Sequence, residues 1–159
     1  MEAERKDSRS LDQMPGISDC LPKDVEEVCA IERASFEHPY DPAAFHTYLL
    51  RARSHRSVGF LTAKVEGRVV GYVIFESGRE ALIVSMAVAP SYTRRGIGNA
   101  LLREALKRLS GACKSVSLQV ETNNRAAQML YSRNGFRVIG TLRGYYPDGG
   151  DAYLMSRAL

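Results

Sequence analysis

The segment Tyr92-Thr-Arg-Arg-Gly-Ile-Gly-Asn-Ala-Leu-Leu102 constrains this chain more than any other. It follows an apolar run from Leu82 to Ala89, broken only by Ser85, and then Pro90. Ile97, Leu101, Ala105 and Leu109 recur at four-residue spacing, with Leu102 and Leu106 beside them, which predicts a helix over about 97–110. A strand, a basic glycine-containing turn and a helix start together make an anion cradle. Gly96 and Gly98 let a ligand approach the backbone with no Cβ in the way. The first-turn amides have no intrahelical partner, and the helix dipole adds positive potential there. A pyrophosphate is the expected occupant. An ordinary strand-to-helix turn with two solvated arginines, Arg94 and Arg95, would show the same local pattern. Two glycines without an acidic residue near position 115 exclude a dinucleotide fingerprint, and no Gly-Lys-Ser/Thr follows to make a P-loop.

At 159 residues, 45% apolar and 25% charged, the chain reads as one soluble domain. Residues 1–15 are polar and aperiodic and predict a mobile tail, leaving 16–159 as the domain. No apolar run approaches membrane-spanning length. The N-terminus lacks the apolar core of a signal peptide, which points to a cytoplasmic protein with no membrane role. Cys20, Cys29 and Cys113 have no metal-ligand spacing, so no metal is expected, and buried thiols are favoured over a bridge. The net charge of +4 suits an acidic ligand, and no nucleic-acid-binding module is visible.

The pattern predicts a short strand near 17–21, a helix opened by Pro22 and buried through Val25, Val28, Cys29 and Ile31, and a Pro-punctuated loop over 36–42. A helix capped by Asp41 follows to about residue 52. A hairpin spans 60–76 around Glu66-Gly67. The run at 82–89 lacks alternation, as a strand covered on both faces does. After the long helix come a strand at 115–122, a helix at about 124–134 ending near Gly135, and strands near 137–142 and 151–157. This order predicts a mixed α/β sheet with helices on both faces.

Downstream of the turn, Ser117-Leu-Gln-Val-Glu-Thr-Asn-Asn-Arg-Ala-Ala-Gln-Met-Leu-Tyr131 leads into Asn134-Gly-Phe136. Together with the turn, these residues resemble the GNAT acetyltransferases over about residues 17–158. The resemblance implies a single-domain GNAT fold of about seven strands flanked by four helices, with acetyl-CoA as co-substrate. It implies that the main chain of Met86, Ala87 and Val88 pairs with the pantetheine arm. It places the pyrophosphate on Arg94, Arg95, Gly96, Ile97, Gly98 and Asn99. Asn124 would contact the cofactor arm, a position where Asn also caps helices. Tyr131 would protonate the departing thiolate, although a tyrosine there also suits an amphipathic helix core.

Within that family, Ile31-Glu-Arg-Ala-Ser-Phe36 with Pro39-Tyr40, then Gly144-Tyr-Tyr-Pro147, then Asp148-Gly-Gly-Asp-Ala-Tyr-Leu-Met155 resemble the RimI-type ribosomal-protein alanine N-acetyltransferases and their archaeal relatives. The resemblance implies protein or peptide N-termini, ribosomal proteins among them, as partners. It implies that Tyr40, Tyr145 and Tyr146 hold the peptide's first residues; a loop anchored by Tyr-Tyr-Pro would look similar.

The chain departs from the family in three places. Thr93 stands where Gln or Arg is usual, three residues before Gly96. The family's catalytic Glu falls on Gln119, and a His of some archaeal relatives falls on Leu82. Gln takes no proton at neutral pH. Ser115, Ser117, Gln119 and Glu121 share one face of their strand, so Glu121 lies about 7 Å beyond Gln119. Glu121 could accept a proton through water or be an ordinary exposed carboxylate. A peptide α-amine, with a reference pKa of about 7.7–8, lies about one unit from neutrality at pH 7, or roughly 1.4 kcal/mol. A lysine at about 10.4 would need roughly 4.6 kcal/mol. Loss of the carboxylate at 119 therefore favours α-amines. The expected activity is direct transfer of acetyl from acetyl-CoA to an N-terminal α-amine. The alternatives are a GNAT acting on a small amine and a catalytically silent acetyl-CoA-binding protein.

Overall fold

The computed structural model describes residues 14–159, so the tail expected over 1–15 lies, but for its last two residues, outside the described residues. The strands are β1 (Gly16–Asp19), β2 (Val58–Val65), β3 (Arg68–Glu76), β4 (Ala81–Val88), β5 (Ser115–Glu121), β6 (Arg137–Leu142) and β7 (Ala152–Ala158). The helices are α1 (Val25–Ser35), α2 (Pro42–Ser54), α3 (Ile97–Leu109) and α4 (Arg125–Arg133). All seven strands form one sheet in the order β1-β2-β3-β4-β5-β7-β6. Every pairing is antiparallel except that of β4 with β5.

The start of the first helix differs from expectation. Pro22–Asp24 winds as a short 3-10 turn, and the α-helix begins at Val25. Asp24 is the cause: its Oδ2 accepts from the Leu21 amide at 2.9 Å, and its Oδ1 pairs with Lys64 Nζ at 2.9 Å. The first strand also stops at Asp19, short of the expected Leu21.

Both faces of the sheet are covered. The stripe Ile97, Leu101, Ala105 and Leu109 buries α3 against Leu61, Val73, Leu118 and Val120, and Tyr131 and Phe136 join that core. The opposite face packs α1 and α2 through Val28, Phe45, Phe60, Tyr72 and Ile74. Leu101 and Leu102 are fully buried; truncating one to Ala removes roughly 2–5 kcal/mol by transfer and cavity terms.

The feature that prepares a site is the failure of the central pairing. Parallel β4 and β5 meet only at Ala81 with Val116 and Leu82 with Ser117. On its other side β4 carries a bulge: Ile74 faces Ser85 and Phe75 faces Ile83, which leaves Val84 as the extra residue. A bulge bends its strand and increases the local twist. Past Leu82 the two strands part, and the β5-facing backbone edge of residues 83–88 borders a wedge.

Candidate active site

The turn after β4 sits at the wide end of this wedge. Arg94 (φ 62°) and Gly96 (φ 82°) both take left-handed backbone on either side of Arg95. Such alternation turns successive N–H groups to one side, a concavity that suits anions. The helix α3 starts at Ile97, and its first intrahelical bond here is Ala100 N to Gly96 O at 3.0 Å. The amides of Ile97, Gly98 and Asn99 are thus at the free helix end. Thr93, which replaces the longer polar residue expected there, donates its hydroxyl to Pro90 O at 3.0 Å and closes the preceding turn. The Arg95 guanidinium lies 5.0 Å over the Tyr92 ring, and both turn arginines are exposed.

The two glycines sit in different surroundings. A Cβ on Gly96 would meet no protein atom within 4 Å, so its backbone is left open and its constraint is the positive φ. A Cβ on Gly98 would meet Leu130 Cδ2 at 3.4 Å and Val88 Cγ2 at 3.6 Å. A Cβ there would make ordinary van der Waals contact with α4 and β4, so Gly98 lies at a closer-packed position than Gly96. Asn99 is also engaged internally: its side-chain oxygen accepts from Asn134 Nδ2 at 2.8 Å, which joins α3 to the end of α4.

On β4, Val73, Tyr72 and Gly71 of β3 stand opposite Met86, Ala87 and Val88 on one side, and the wedge lies on the other. On β5 the burial alternates through the whole strand. Val116, Leu118 and Val120 enter the α3/α4 core, and Ser115, Ser117, Gln119 and Glu121 are half-buried on the reverse face. Leu82 stands in the last β4–β5 pair, opposite Ser117.

Helix α4 is fixed to the end of β5 by two amide side chains. Asn124 Oδ1 accepts from Ala127 N at 3.1 Å, so its capping role is realised. Gln128 Nε2 donates to both Glu121 O and Thr122 O at 3.0 Å. These anchors set Tyr131 one turn further on, where its ring packs edge-on to Phe136 at 5.8 Å. Burial, with a smaller effect from Tyr146, pushes the Tyr131 phenol up to about 12.

Two loops approach each other near the wedge. The α1–α2 loop carries Tyr40, and the β6–β7 loop carries Tyr145 and Tyr146, whose rings meet edge-on at 5.0 Å. Burial pushes the Tyr146 phenol up to about 12, with added contributions from Glu121, Tyr145 and Tyr40. Burial also raises Tyr40, followed by Tyr145. The loops touch directly: His38 Nε2 lies 3.7 Å from Asp148 Oδ2. Asp148 is held in turn by the Gly150 amide at 2.9 Å, which lowers its carboxyl.

Tyr40, Tyr145, Tyr146, Glu121 and Tyr131 thus fall within electrostatic reach of one another, and Gln119 shares the strand face of Glu121. Both the turn at 93–96 and the Gln119–Glu121 stretch lie at the carboxyl ends of the parallel pair, where α/β sheets bind ligands. Sequence reasoning passed over Gln128 and Glu32. Glu32 is 2% exposed and binds the Tyr40 amide and the Tyr72 hydroxyl. Its signal was present: it continues the apolar stripe Val25, Val28, Cys29 at helical spacing.

The arrangement of wedge, turn and α4 also has known counterparts. The pattern of the acetyltransferase (GNAT) family matches residues 25–136. An N-alpha-acetyltransferase of Sulfurisphaera tokodaii is 34% identical over 151 residues, covering 86% of this chain and 88% of that protein. The N-alpha-acetyltransferase RimI of Mycobacterium tuberculosis is 37% identical over 142 residues, covering 84% and 86%. Among solved structures, the ribosomal-protein-S18-alanine N-acetyltransferase from Escherichia coli superposes with a TM-score of 0.80 at 28% identity, covering 91% of this chain and 94% of that one.

Proposed function

The chain belongs to the GNAT acetyltransferase family and is an acetyl-CoA-dependent N-acetyltransferase, and from that premise we propose that it acetylates the α-amine of protein or peptide N-termini. The observation that carries this reading is the approach of the Tyr40 loop to the Tyr145–Tyr146 loop, with Tyr146 beside Glu121 and Tyr131. A phenol-lined cleft fits an extended peptide end better than a compact polycation. The relatives named N-alpha-acetyltransferase support the same substrate class.

The pyrophosphate of acetyl-CoA sits on the amides of residues 94–99, with Arg94 and Arg95 as flanking charge. The pantetheine arm runs along the open edge of β4 like an added strand, bonded to the main chain of Met86, Ala87 and Val88. The same edge donates to the thioester carbonyl as negative charge develops on its oxygen. The amine enters between the tyrosine walls and attacks the carbonyl carbon. The C–N bond forms, the C–S bond breaks, and the amine proton passes to a water held between Gln119 and Glu121.

The role of Tyr131 is narrower than proton transfer. A phenol near 12 facing a thiolate of reference pKa about 8.5 would give up its proton only at a cost of roughly 5 kcal/mol. Tyr131 instead donates a hydrogen bond to the departing sulfur, which then takes its proton from solvent. The backbone of Asn124 lies at the same helix start, and its side chain caps α4.

Incubating the protein with acetyl-CoA, a panel of N-terminal peptides and a polyamine, read by mass, tests the reading. Acetylated peptide termini are expected. Acetylation of the polyamine alone would favour a small-amine enzyme, and no product with bound acetyl-CoA would favour a silent binder.

A further inference from the structure

Glu32 takes no part in the scheme above, yet it is the most completely buried carboxylate beside the cleft. It sits in α1 among Val28, Cys29 and Ile31, and only neutral donors meet it. Oε1 accepts from the Tyr40 backbone N–H at 3.1 Å, and Oε2 accepts from the Tyr72 hydroxyl. Tyr72 lies on β3 and is itself fully buried. Its oxygen is 2.9 Å from Ser85 Oγ on β4. A phenol has one proton, and Tyr72 gives it to Glu32, so Ser85 is the donor in the second bond. Ser85 is the residue just past the Val84 bulge, on the part of β4 that has left β5. One carboxylate therefore joins the loop bearing Tyr40 to the strand bordering the wedge.

Stability alone does not account for this residue. None of the ion pairs among the described residues includes Glu32. An ion buried without a counter-ion costs folding free energy, and an apolar side chain of similar volume would fill the site at less cost. Burial raises the Glu32 carboxyl, and the bonds from Tyr72 and Tyr40 draw it back. The carboxylate offers what no apolar residue can, two acceptors at a fixed spacing.

We propose that Glu32 is a positioning residue for the acceptor, holding the Tyr40 wall in register with β4 through Tyr72 and Ser85. It touches neither substrate. Its effect is on where the peptide's first residues lie when the acyl group arrives, and in that respect the proposal rests on the N-terminal reading above.

Glu32→Met keeps the volume and removes both acceptors. Amide hydrogen exchange at Tyr40 should rise about tenfold, the scale of one lost hydrogen bond. Peptide KM should rise by a similar factor, with the acetyl-CoA KM nearly unchanged. Tyr72→Phe, which keeps the ring and cuts the link to Ser85, should shift peptide KM the same way by about threefold. Wild-type Tyr40 exchange and wild-type peptide KM in Glu32→Met would overturn the proposal. Should that variant fail to fold, an unchanged peptide KM in Tyr72→Phe would overturn it instead. Should the wild-type protein acetylate no peptide terminus, the N-terminal reading fails by itself, and Tyr40 exchange in the two variants still decides the role of Glu32.

Discussion

Leu82 faces Ser117 across the last pairing between β4 and β5, and beyond that pair the two strands share no register. The bulge at Val84 bends β4 just beyond that pair. The turn and strand edge assigned to acetyl-CoA lie along β4, while Gln119 and Glu121 lie on β5 and Tyr131 on the helix that follows it. That division gives the following predictions.

The turn should bind acetyl-CoA by its backbone. Gly96 is left-handed with nothing within 4 Å of a Cβ site, so Gly96→Val should strain the turn and crowd the ligand while leaving the core intact. Its acetyl-CoA Kd should rise tenfold or more through crowding of the ligand, with roughly 1–3 kcal/mol of backbone strain taken from stability, and Arg94→Ala should cost less affinity. Gly98→Val should also lower the melting temperature but change Kd less, because its extra methyls meet Leu130 and Val88. Calorimetric titration and thermal unfolding separate the two. Equal Kd losses in the Gly96 and Arg94 variants would place the cradle elsewhere.

Removal of the Tyr131 hydroxyl should lower kcat by about one to two orders of magnitude, the range of a lost hydrogen bond to a charged group. Acetyl-CoA KM should change little. With the phenol near 12, Tyr131 stays neutral throughout pH 6–9, so Tyr131→Phe should keep the shape of the pH–rate profile. A limb of that profile vanishing in the variant would show that Tyr131 does titrate in the reaction.

Position 119 tests the missing base. Gln119→Glu should raise the rate most at low pH, where neutral amine is scarce. Glu121→Gln should shift the kcat profile upward in pH, since the enzyme then depends on amine already deprotonated in solution. An unchanged profile in Glu121→Gln would remove Glu121 from the reaction and leave bulk water as the acceptor.

Glu32 should leave a trace in stability. Its folded carboxyl is raised, chiefly by burial, so the folded state holds a proton that the unfolded state has released. Stability is then full below the unfolded value of about 4.3 and falls as pH rises through the folded value. Melting of wild type relative to Glu32→Gln, followed from pH 4 to 7, should drop with rising pH and then level off. A difference that is flat with pH, or that grows in favour of wild type, would contradict this.

Much of this architecture can be read in the chain. The four-residue stripe of α3 and the strict alternation of Ser115–Glu121 are local patterns, set by which faces meet the core, and both appear as expected. The wedge cannot be read, because an apolar run from 82 to 89 looks the same whether or not its neighbour stays paired. Local pattern does not place Tyr40 beside Tyr145, since their approach depends on two loops separated by most of the domain; only the family resemblance implies it. Gly96 and Gly98 look alike in the motif, and only packing against Leu130 and Val88 tells them apart. Glu32 hides for a related reason: a single acid on an apolar stripe reads as the helix edge until Tyr72 and the Tyr40 amide are seen to meet it.

The central claim is that this site acts on α-amines, which a weak proton acceptor can serve, and not on lysines. One peptide sequence containing lysine, offered with a free or a blocked N-terminus at pH 7 and followed by mass, tests it most directly. The free-terminus peptide should be acetylated at its α-amine at least about a hundredfold faster than the blocked peptide at lysine, within the roughly 3 kcal/mol by which the two amines differ in deprotonation cost. Comparable rates for the two peptides would contradict the assignment.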